Sequence, residues 1–484
     1  MFNIFIPGKH VALNRKEGTM KKIRKMFLAT MILCCLVLLG PPQAMGAEVK
    51  AKFDVNKMGD MSDFDPNNPM KVTGDTIKIA VVASHSGPAA AVGELYYLCT
   101  LWPAHDINKR GGILVDGKKK MIEVLKADHE SKPEICKKVC ERMVLQEKVS
   151  ELVGTNGSNN MKVMNQVADK YKVIVGNIGA ASDELYDAES FTRYSFMMCW
   201  STHQVGRALA YYYGQMRKKE KKFYILCQDY LFGHSLADGF KAGLKEYYPD
   251  AQIVGEDYHK LFLTDFAPYL TKIKASGAEV IYTGDWPPDL GILVKQARQM
   301  DTTLPIANLF MDDPIFLSEV GIEGTKGLVT LYNYGTKGEF FKTPEQIKFF
   351  TIWKEQWKKW KAPYNSSRYE QGAMQIGALR DSVYWLLSII ERAGSTDPEK
   401  IIKIWEGDSY QYVTGKVVQM RVCDHKAIQD LHVGLFVPPE EQKQNYNIPP
   451  YYWYKEFSFV GPSYEIPAEK ILPPIDPKLE RCKN

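Results

Sequence analysis

Short runs of apolar residues alternate with longer stretches in which apolar residues recur every three or four positions, from Ile77 to Leu331. Short apolar runs are typical of buried strands, and the wider spacing is typical of amphipathic helices. Their regular alternation predicts an α/β fold with parallel sheets built from βαβ units. The predicted strands are 77–82, 122–127, 149–153, 173–175, 194–198, 223–227, 252–255, 280–283 and 328–331, and the predicted helices are 93–108, 133–146, 160–170, 202–218, 232–246, 266–276 and 289–300.

The pattern changes on both sides of this region. Residues 341–393 predict helices whose aromatic residues recur at helical spacing, which favours core packing over ligand binding. Two short strands, 416–420 and 432–437, are predicted next. Residues 438–484 are rich in Pro and Tyr and predict an extended tail that packs against the rest of the protein, while the polar residues 48–70 predict a mobile leader.

The first residues have the organisation of a secretory signal peptide. Four basic residues between Lys21 and Lys25 precede an apolar run, 26–39, which is followed by small residues at 44–46. A basic region, a short apolar segment and a small-residue site are the three parts of such a signal, and the run is too short to span a bilayer comfortably. We therefore expect residues 1–46 to be a leader and signal peptide, with cleavage after Gly46 and export to the periplasm.

Net charge excludes one class of partner. The formal charge of the whole chain is +5, but most of the excess basic residues lie in residues 1–46, and the remainder is nearly neutral. A nearly neutral net charge gives no sign of the basic surface that attracts nucleic acids, so we expect no nucleic-acid partner.

The positions of the cysteine residues limit which disulfides and metal sites are expected. Cys136 and Cys140 are four residues apart on a predicted helix, a geometry that resists a disulfide between them. No C-x-x-C pair occurs, so neither a zinc site nor a redox motif is expected. We hypothesise a disulfide between Cys423 and Cys482 that fastens the tail.

Enzyme motifs are missing from the sequence. No G-x-S-x-G elbow, H-E-x-x-H helix, phosphate-binding G-x-x-x-x-G-K-S/T loop or G-x-G-x-x-G turn occurs. The carboxylates that could be nominated for catalysis are Asp285, Asp312 and Asp313, and nothing in their spacing supports that role. The sequence therefore predicts a non-catalytic protein without a metal or cofactor.

Two polar turns follow neighbouring predicted strands. Residues 154–159 lead from a strand to a position where Ser158 can begin the next helix, and residues 176–182 follow the next strand in the same way. Free backbone N–H groups at a helix start attract anions. Ser158 or Asn159 could equally be an N-cap, so both interpretations stay open. Turns after adjacent parallel strands meet at the carboxyl edge of a sheet, where α/β folds bind ligands.

Two aromatic residues occupy comparable positions in the second half. Trp286 comes directly after the strand 280–283, and Phe232 follows the strand 223–227. Either ring could pack inside the domain, yet large rings beside a polar crevice are also how such sites cover a ligand.

An ordered series of segments resembles the type I periplasmic solute-binding proteins of the branched-chain amino-acid transport type. The first is a strand followed by the pattern S-G-P-x-A-x-x-G, and the second is D-I-N-x-x-G-G-I. The matching segments are 77–93, 106–113, 229–233, 265–266, 271–274 and 294–298. Together they cover about residues 76 to 437, and their order makes the resemblance more specific than any single motif.

This resemblance implies two doubly wound parallel-sheet lobes joined by three hinge crossovers, with a ligand bound between them. The implied first lobe is 76–198 plus 332–412, the second is 199–331 plus 413–438, and 439–484 is a C-terminal extension. The implied ligand-binding residues are Ser158 through its hydroxyl, Gly179 through its backbone, and Gly157, Val92, Ala181, Phe232 and Trp286 through their places in the cleft. Asp312 is implied as the acid that pairs with an amino group of the ligand, and Asp313 is the alternative.

Several of these positions depart from the pattern of amino-acid binders. Ala181 stands where those proteins often have threonine, and Trp286 and Phe232 keep a ring without the hydroxyl of tyrosine. We therefore expect a carboxylate ligand, such as an aromatic or other organic acid, with a branched-chain amino acid as the alternative. The implied function is delivery of this solute to the permease of an ABC transporter. A periplasmic ligand-sensing receptor module is the alternative, and an exported enzyme is a third possibility.

Overall fold

The computed structural model describes residues 58–311, 314–332, 344–369, 379–412, 416–438 and 459–483. All of these belong to one compact unit, Val49–Asn484. The predicted leader and signal peptide at 1–46, Asp312 and Asp313, and residues 439–458 of the predicted extension lie outside the described residues.

A five-stranded parallel sheet forms the first lobe together with the helices packed on it. Its strand order is β4-β1-β5-β6-β7. The strands are β1 (Ile77–Ala83), β4 (Ile122–Asp128), β5 (Glu151–Gly154), β6 (Ile174–Asn177) and β7 (Ser195–Met197). Between them lie helices α1 (Ala90–Lys109), α2 (Pro133–Leu145) and α3 (Ser158–Tyr171), and a small hairpin of β2 (Ile113–Val115) and β3 (Lys118–Lys120).

A seven-stranded sheet forms the second lobe with its own helices. Its order is β17-β16-β12-β11-β10-β8-β9, in which β16 and β17 run antiparallel to their neighbours. The strands are β8 (Lys222–Gln228), β9 (Gln252–His259), β10 (Val280–Tyr282), β11 (Ile306–Asn308), β12 (Leu328–Tyr332), β16 (Leu431–Val437) and β17 (Phe459–Ile466). The helices are α4 (Thr202–Tyr211), α5 (Leu231–Tyr247), α6 (Ala267–Ser276), α7 (Asp289–Gln299) and α8 (Pro314–Thr325).

The chain returns to the first lobe after β12. Helices α9 (Pro344–Trp357), α10 (Leu379–Ala393) and α11 (Pro398–Trp405) precede a three-stranded sheet of β13 (Ser409–Gln411), β14 (Val417–Met420) and β15 (Ala427–Ile428). This small sheet packs on the first lobe, because Tyr410 stacks on Trp385 of α10 and Met197 of β7 donates its N–H to the carbonyl of His425 at 2.9 Å. Of residues 413–438, β16 therefore lies in the second sheet, while β14 and β15 lie against the first lobe.

The apolar pattern explains why these elements form. Strand β1 reads Ile-Lys-Ile-Ala-Val-Val-Ala, and all of its residues except Lys78 are buried. Near-continuous apolar runs are what parallel strands covered by helices on both faces require. Phe349, Trp353, Trp360 and Trp385 are buried, which confirms the core role predicted for these aromatic residues of the segment 341–393.

The segment before β1 corrects one prediction. Residues 58–70 were expected to be mobile, but Phe64 is buried with its ring centroid 4.8 Å from that of Trp102. Trp360 donates its indole N–H to the Phe64 carbonyl at 3.2 Å, and the Gly59 N–H bonds Asp106 Oδ1 at 2.6 Å. A single buried aromatic side chain can thus hold an otherwise polar segment against the core.

The tail is also part of the fold. Strand β17 pairs with β16 along the edge of the second sheet. Cys423 and Cys482 form a disulfide, as hypothesised, while Cys136 and Cys140 stay free and buried. Among the helices that the structure describes, none combines the length and apolar character needed to cross a membrane.

Candidate functional site

A cleft between the two lobes gathers most of the predicted site residues. The space between its walls is about 680 Å³ when the open mouth is included. The first lobe supplies one wall and the aromatic residues of the second lobe supply the other. The lining residues are Val92, Leu95, Tyr96, Asn156, Gly157, Ser158, Gly179, Ala180, Ala181, Tyr230, Phe232, Trp286, Pro287, Phe310 and Arg368.

Helix α3 begins at the cleft without a side-chain cap. Its N-cap is Gly157, whose φ of +88° favours glycine, and no side chain accepts a hydrogen bond from the first turn. The interpretation of Ser158 or Asn159 as the N-cap is therefore wrong. The N–H groups of Asn160 and Met161 donate to the Gly157 carbonyl at 3.1 Å. Those of Ser158 and Asn159 precede the first helical bond, and so have no partner within the helix.

The Ser158 hydroxyl adds a directed donor to this helix start. Ser182, from the turn after β6, donates its hydroxyl hydrogen to Ser158 Oγ at 2.7 Å. Ser158 Oγ acts as an acceptor in that bond, so its own hydrogen remains to be donated to another group. A carboxylate, which can only accept, would satisfy both this hydroxyl and the helix N–H groups.

A buried network holds the turn before α3. Ser84 donates its N–H to Asn156 Oδ1 at 3.0 Å, and Asn156 Nδ2 donates back to Ser84 Oγ at 2.9 Å. Behind them, His129 Nε2 lies 2.6 Å from Thr155 Oγ1. Burial lowers the pKa of His129 to about 4, so the ring is neutral at pH 7. These contacts join β1, β4 and β5 to the turn and fix the position of Gly157.

The second turn uses its backbone donors internally. Asn177 Oδ1 accepts from the N–H of Gly179 at 3.2 Å and from that of Ala180 at 2.9 Å. The Gly179 N–H that the resemblance offers to a ligand is therefore already engaged. Gly179 has a steric role instead, because a Cβ there would lie 2.0 Å from Tyr96 Oη. Ala181 is buried and lines the cleft.

The facing wall is aromatic. Trp286 donates its indole N–H to the Tyr230 hydroxyl at 3.0 Å. Phe232 lies with its ring centroid 5.9 Å from that of Tyr230 and 6.2 Å from that of Phe310. These rings cover the cleft opposite the α3 start. The structure thus brings Phe232 and Trp286 together with Ser158, Gly157, Gly179, Ala181 and Val92, whereas Asp312 lies outside the described residues.

The buried acidic residues behind Trp286 do not line the cleft. Asp285 Oδ1 lies 2.9 Å from His259 Nε2, and neither side chain is exposed. Burial opposes the charged form of His259, but the hydrogen bond and the charge interaction with Asp285, together with smaller contributions from Lys260 and Asp289, outweigh that effect and raise its pKa. Burial also raises the pKa of Asp289 to about 6. Asp285 is thus engaged as an internal partner of His259 and is not placed to attack a ligand.

Lining residues from four parts of the chain were not predicted as site residues. Tyr96 and Leu95 lie on α1, Tyr230 immediately precedes the predicted Phe232, and Phe310 follows β11. Arg368 comes from a 3₁₀ turn, Ser367–Tyr369, far along the chain. Tyr230 could have been found from its place between a strand and a helix. Arg368 carries no local signal, because only the tertiary fold brings its turn to the cleft.

Within the described ranges, no three His, Cys, Asp or Glu side chains cluster in a way that could hold a metal ion. The described lining residues also include no Asp or Glu. The chemistry that this cleft supports is therefore recognition: backbone and hydroxyl donors, an arginine, and aromatic surface.

A sequence model of a family described as "Periplasmic binding protein" matches residues 76–436. This is most of the chain and includes every described lining residue. The chain belongs to this family. Its parallel-sheet lobes have the architecture of the type I periplasmic binding proteins, as the ordered segments of the sequence indicated.

Proteins similar in sequence to this periplasmic binding protein are named as binding proteins. An amino acid binding protein of Pseudomonas aeruginosa is 32% identical over 249 residues, which are 50% of this chain and 62% of that protein. The match thus spans about three fifths of that relative's length.

Solved structures share the fold at low identity. A solute binding protein of an ABC transporter from Rhodopseudomonas palustris, in complex with 3,4-dihydroxybenzoic acid, has a TM-score of 0.66 and 17% identity, and the match covers 81% of this chain and 98% of that one. A branched-chain amino acid transporter substrate binding protein from Streptococcus pneumoniae, in complex with isoleucine, has a TM-score of 0.62 and 23% identity, with 75% and 96% covered.

Proposed function

We propose that this chain is the exported substrate-binding component of an ABC transporter, and that it captures a small carboxylate-bearing solute between its two lobes for delivery to a membrane permease. The observation that carries this proposal is the uncapped start of α3, where Ser158 accepts from Ser182 and faces an aromatic wall. An uncapped helix start with a hydroxyl donor is a site for an anion. A wall of rings is a site for an apolar or aromatic body.

The proposed ligand is an aromatic or other organic acid, and a branched-chain amino acid is the alternative. The wall formed by Tyr230, Phe232 and Trp286 favours a flat or apolar body. Val92 and Ala181 contribute no hydroxyl group that could hold further polar groups of a ligand. Solved structures of the same fold contain either class of ligand, so the choice depends on the residues of this chain.

Ligand binding drives closure in this proposal. The cleft takes residues from both lobes, so a ligand gains its full set of contacts only when the lobes approach each other. A ligand that binds the closed arrangement more tightly shifts the population towards it. The permease then distinguishes the loaded protein by the relative position of its lobes. Export through the signal peptide that ends at Gly46 places this step in the periplasm.

Calorimetric titration tests the ligand class. The mature chain from residue 47 is titrated with 4-hydroxybenzoate, 3,4-dihydroxybenzoate, leucine and isoleucine. Saturable binding of an acid at micromolar concentration supports the first choice. Tight binding of leucine with no binding of either acid makes the amino acid the substrate, and absence of binding to all four contradicts the proposed solute class.

The permease partnership has its own test. A permease with its ATPase subunits, encoded beside this chain, is reconstituted in vesicles, and ATP hydrolysis is measured with ligand-loaded and ligand-free protein. The proposal expects stimulation only by the loaded form. Equal rates with and without the loaded protein would instead favour a ligand-sensing receptor module.

A further inference from the structure

Arg368 brings a permanent positive charge to the cleft. Its side chain is half-buried and lines the cleft together with Ser158 and the aromatic wall. A guanidinium has five N–H donors, no acceptor, and a charge that no ordinary pH removes. It can therefore bind a ligand acceptor while keeping other partners.

The turn that carries Arg368 is fastened on several sides. Trp353 donates its indole N–H to the Tyr369 carbonyl at 2.8 Å, and Trp357 donates to the Ser366 carbonyl at 3.0 Å. Tyr369 donates its hydroxyl hydrogen to the carbonyl of Ala91 at 2.8 Å, next to Val92 of the cleft. These bonds tie the turn to both α9 and the start of α1. A side chain on such a support is well placed to discriminate between ligands.

Taking the proposed function as its basis, we infer that Arg368 is a specificity-determining residue that selects simple carboxylates over α-amino acids. The uncapped α3 start and Arg368 both favour negative charge, and no described lining residue carries a negative charge that would pair with an ammonium group. Among the described lining residues, an α-ammonium meets the positive charge of Arg368, loses its water and finds no carboxylate to pair with. The same acid without the ammonium gains a charge-assisted hydrogen bond.

Matched ligand pairs test this inference. Leucine and 4-methylpentanoate share a carbon skeleton and differ by the α-ammonium, as do phenylalanine and 3-phenylpropanoate. For the protein with its native Arg368, calorimetry is expected to give the acid of at least one pair an affinity about 10-fold or more above its amino acid, a ratio that corresponds to about 1.4 kcal/mol.

Variants at the same position separate charge from packing. Arg368→Met is expected to remove most of the preference within a pair, mainly by weakening the acid about 10- to 100-fold, the range for losing a charged hydrogen bond. Arg368→Lys retains the charge and is expected to keep part of the preference. Arg193→Gln, which removes a 47% exposed arginine side chain outside the cleft lining, is the control for net charge.

The outcomes are distinguishable. If the amino acid of each pair binds more tightly, or Arg368→Met leaves the ratio unchanged, the inference about Arg368 is overturned while the proposed function stands. If no acid and no amino acid binds, the proposed function fails with it.

A different part of the molecule carries a second inference. After β17 the tail is held by the second lobe, because Ala468 donates its N–H to Asp430 Oδ1 at 2.8 Å and Arg207 donates to the Lys470 carbonyl at 3.3 Å. Tyr247 of α5 also donates its hydroxyl hydrogen to that carbonyl. Up to Lys470, the tail therefore belongs to the second lobe.

Three residues later the tail lies on the first lobe. Arg421 donates to the Pro473 carbonyl at 2.9 Å, and Asp476 Oδ2 accepts from the Ala188 N–H at 2.9 Å. The guanidinium of Arg481 lies 4.9 Å from the ring centroid of Phe191. The tail ends in the disulfide between Cys482 and Cys423. Cys423 lies in the turn between β14 and β15, which packs on the first lobe through His425 stacked on Phe196.

The geometry points to a strap: residues 467–483 form a covalently closed connection between the lobes, additional to the crossovers of the main chain, and this connection limits how far the lobes open. Its anchors lie on both lobes, so any hinge rotation must move one set against the other.

Distance measurements between the lobes test the strap. Fluorophores at Lys137→Cys on α2 and Lys245→Cys on α5, both exposed positions, report lobe separation, and the five free native cysteines are buried. Without ligand, the double variant Cys423→Ser/Cys482→Ser is expected to show a longer and broader separation than the oxidised protein. Its ligand affinity is expected to fall several-fold, because the binding-competent arrangement is less populated.

A tail that only stabilises the fold would give a different result. In that case the double variant lowers the unfolding temperature but leaves lobe separation and affinity unchanged, and the strap is overturned. If the double variant does not fold, Asp476→Asn is the second variant, because it weakens one anchor and keeps the disulfide. The strap is also overturned if lobe separation is unchanged both in Asp476→Asn and in the protein treated with dithiothreitol.

Discussion

The hydroxyl of Ser182 donates to the hydroxyl of Ser158 across 2.7 Å, and both side chains are almost completely buried. Because Ser182 supplies the hydrogen of this bond, the Ser158 hydrogen is left for the cleft. A pair of serines from two different turns thus orients one donor towards the place where the helix α3 begins.

Removing this donor should weaken ligand binding without unfolding the protein. We expect Ser158→Ala to lower affinity for the carboxylate ligand by about 10- to 100-fold, the cost of losing a hydrogen bond to a charged group. Ser182→Ala should have a smaller effect, because the Ser158 hydroxyl stays present but is less well oriented. Ser62→Ala, at an exposed serine, should have none. Calorimetry and thermal unfolding measure the two quantities, and a Ser158→Ala protein that binds as well as the native one would remove this serine from the site.

A methyl group at Gly179 should act through Tyr96. The added Cβ would lie 2.0 Å from Tyr96 Oη and 2.6 Å from its Cζ, so the ring must move within the cleft. We expect Gly179→Ala to reduce ligand affinity by more than it reduces the free energy of unfolding. Combining it with Tyr96→Leu, which frees the space, should recover part of the loss in affinity. If the double variant binds no better than Gly179→Ala alone, displacement of Tyr96 is not the cause.

Two substitutions at Trp286 of the aromatic wall distinguish the contribution of its ring from that of its indole N–H. Trp286→Phe keeps a ring but removes the indole donor of the 3.0 Å bond to Tyr230. We expect a loss of only a few-fold in affinity, since one neutral hydrogen bond contributes about 1 kcal/mol. Trp286→Ala removes the ring and should cost considerably more. Equal losses for the two variants, measured by calorimetry, would show that the hydrogen bond and not the ring surface matters.

Acid should destabilise the fold through His129. Burial lowers the pKa of His129 to about 4, below the usual value of 6.5. The unfolded chain then binds a proton more readily than the folded one, so the stabilisation is complete above pH 6.5 and is lost as the pH falls from 6.5 towards 4. The loss amounts to about 3 kcal/mol at most, since one unit of pKa corresponds to about 1.4 kcal/mol.

Urea unfolding between pH 4 and pH 7 measures this effect. His129→Asn should flatten the pH dependence of the free energy of unfolding over that interval, at some cost in stability at pH 7, where the bond to Thr155 is weakened. A native slope in the His129 variant would contradict this assignment.

Much of the fold was predictable because its signals are local. Strands β1, β4 and β8 are apolar runs between helices with clear periodicity, and the structure places them at the predicted positions. Strand β11 was missed because its sequence, Ile-Ala-Asn after Pro305, contains only two consecutive apolar residues, and β17 because pairing with β16, a tertiary interaction, stabilises it as a strand. Pairing along a sheet edge depends on partners that a local pattern does not reveal.

The site divides in the same way. Ser158 and Trp286 follow strands of two different sheets, so a position at the carboxyl edge of its own sheet could be expected for each. Their convergence on one cleft was implied only by the resemblance to two-lobed binding proteins. The pairing of Ser182 with Ser158 could not be predicted from the sequence, because it depends on how two turns meet. The position of Arg368 in the cleft could not be predicted either, since its turn reaches the cleft through bonds from Trp353 and Tyr369 that only the folded chain forms.

A crystal structure of the mature protein with its tightest-binding acid tests the central claim most directly. We expect the carboxylate to lie between the lobes, within hydrogen-bond distance of Ser158 Oγ and the N–H groups of the first turn of α3, with the body of the ligand against Trp286 and Phe232. A ligand bound outside this cleft, or inside it with its carboxylate turned away from Ser158, would contradict the account.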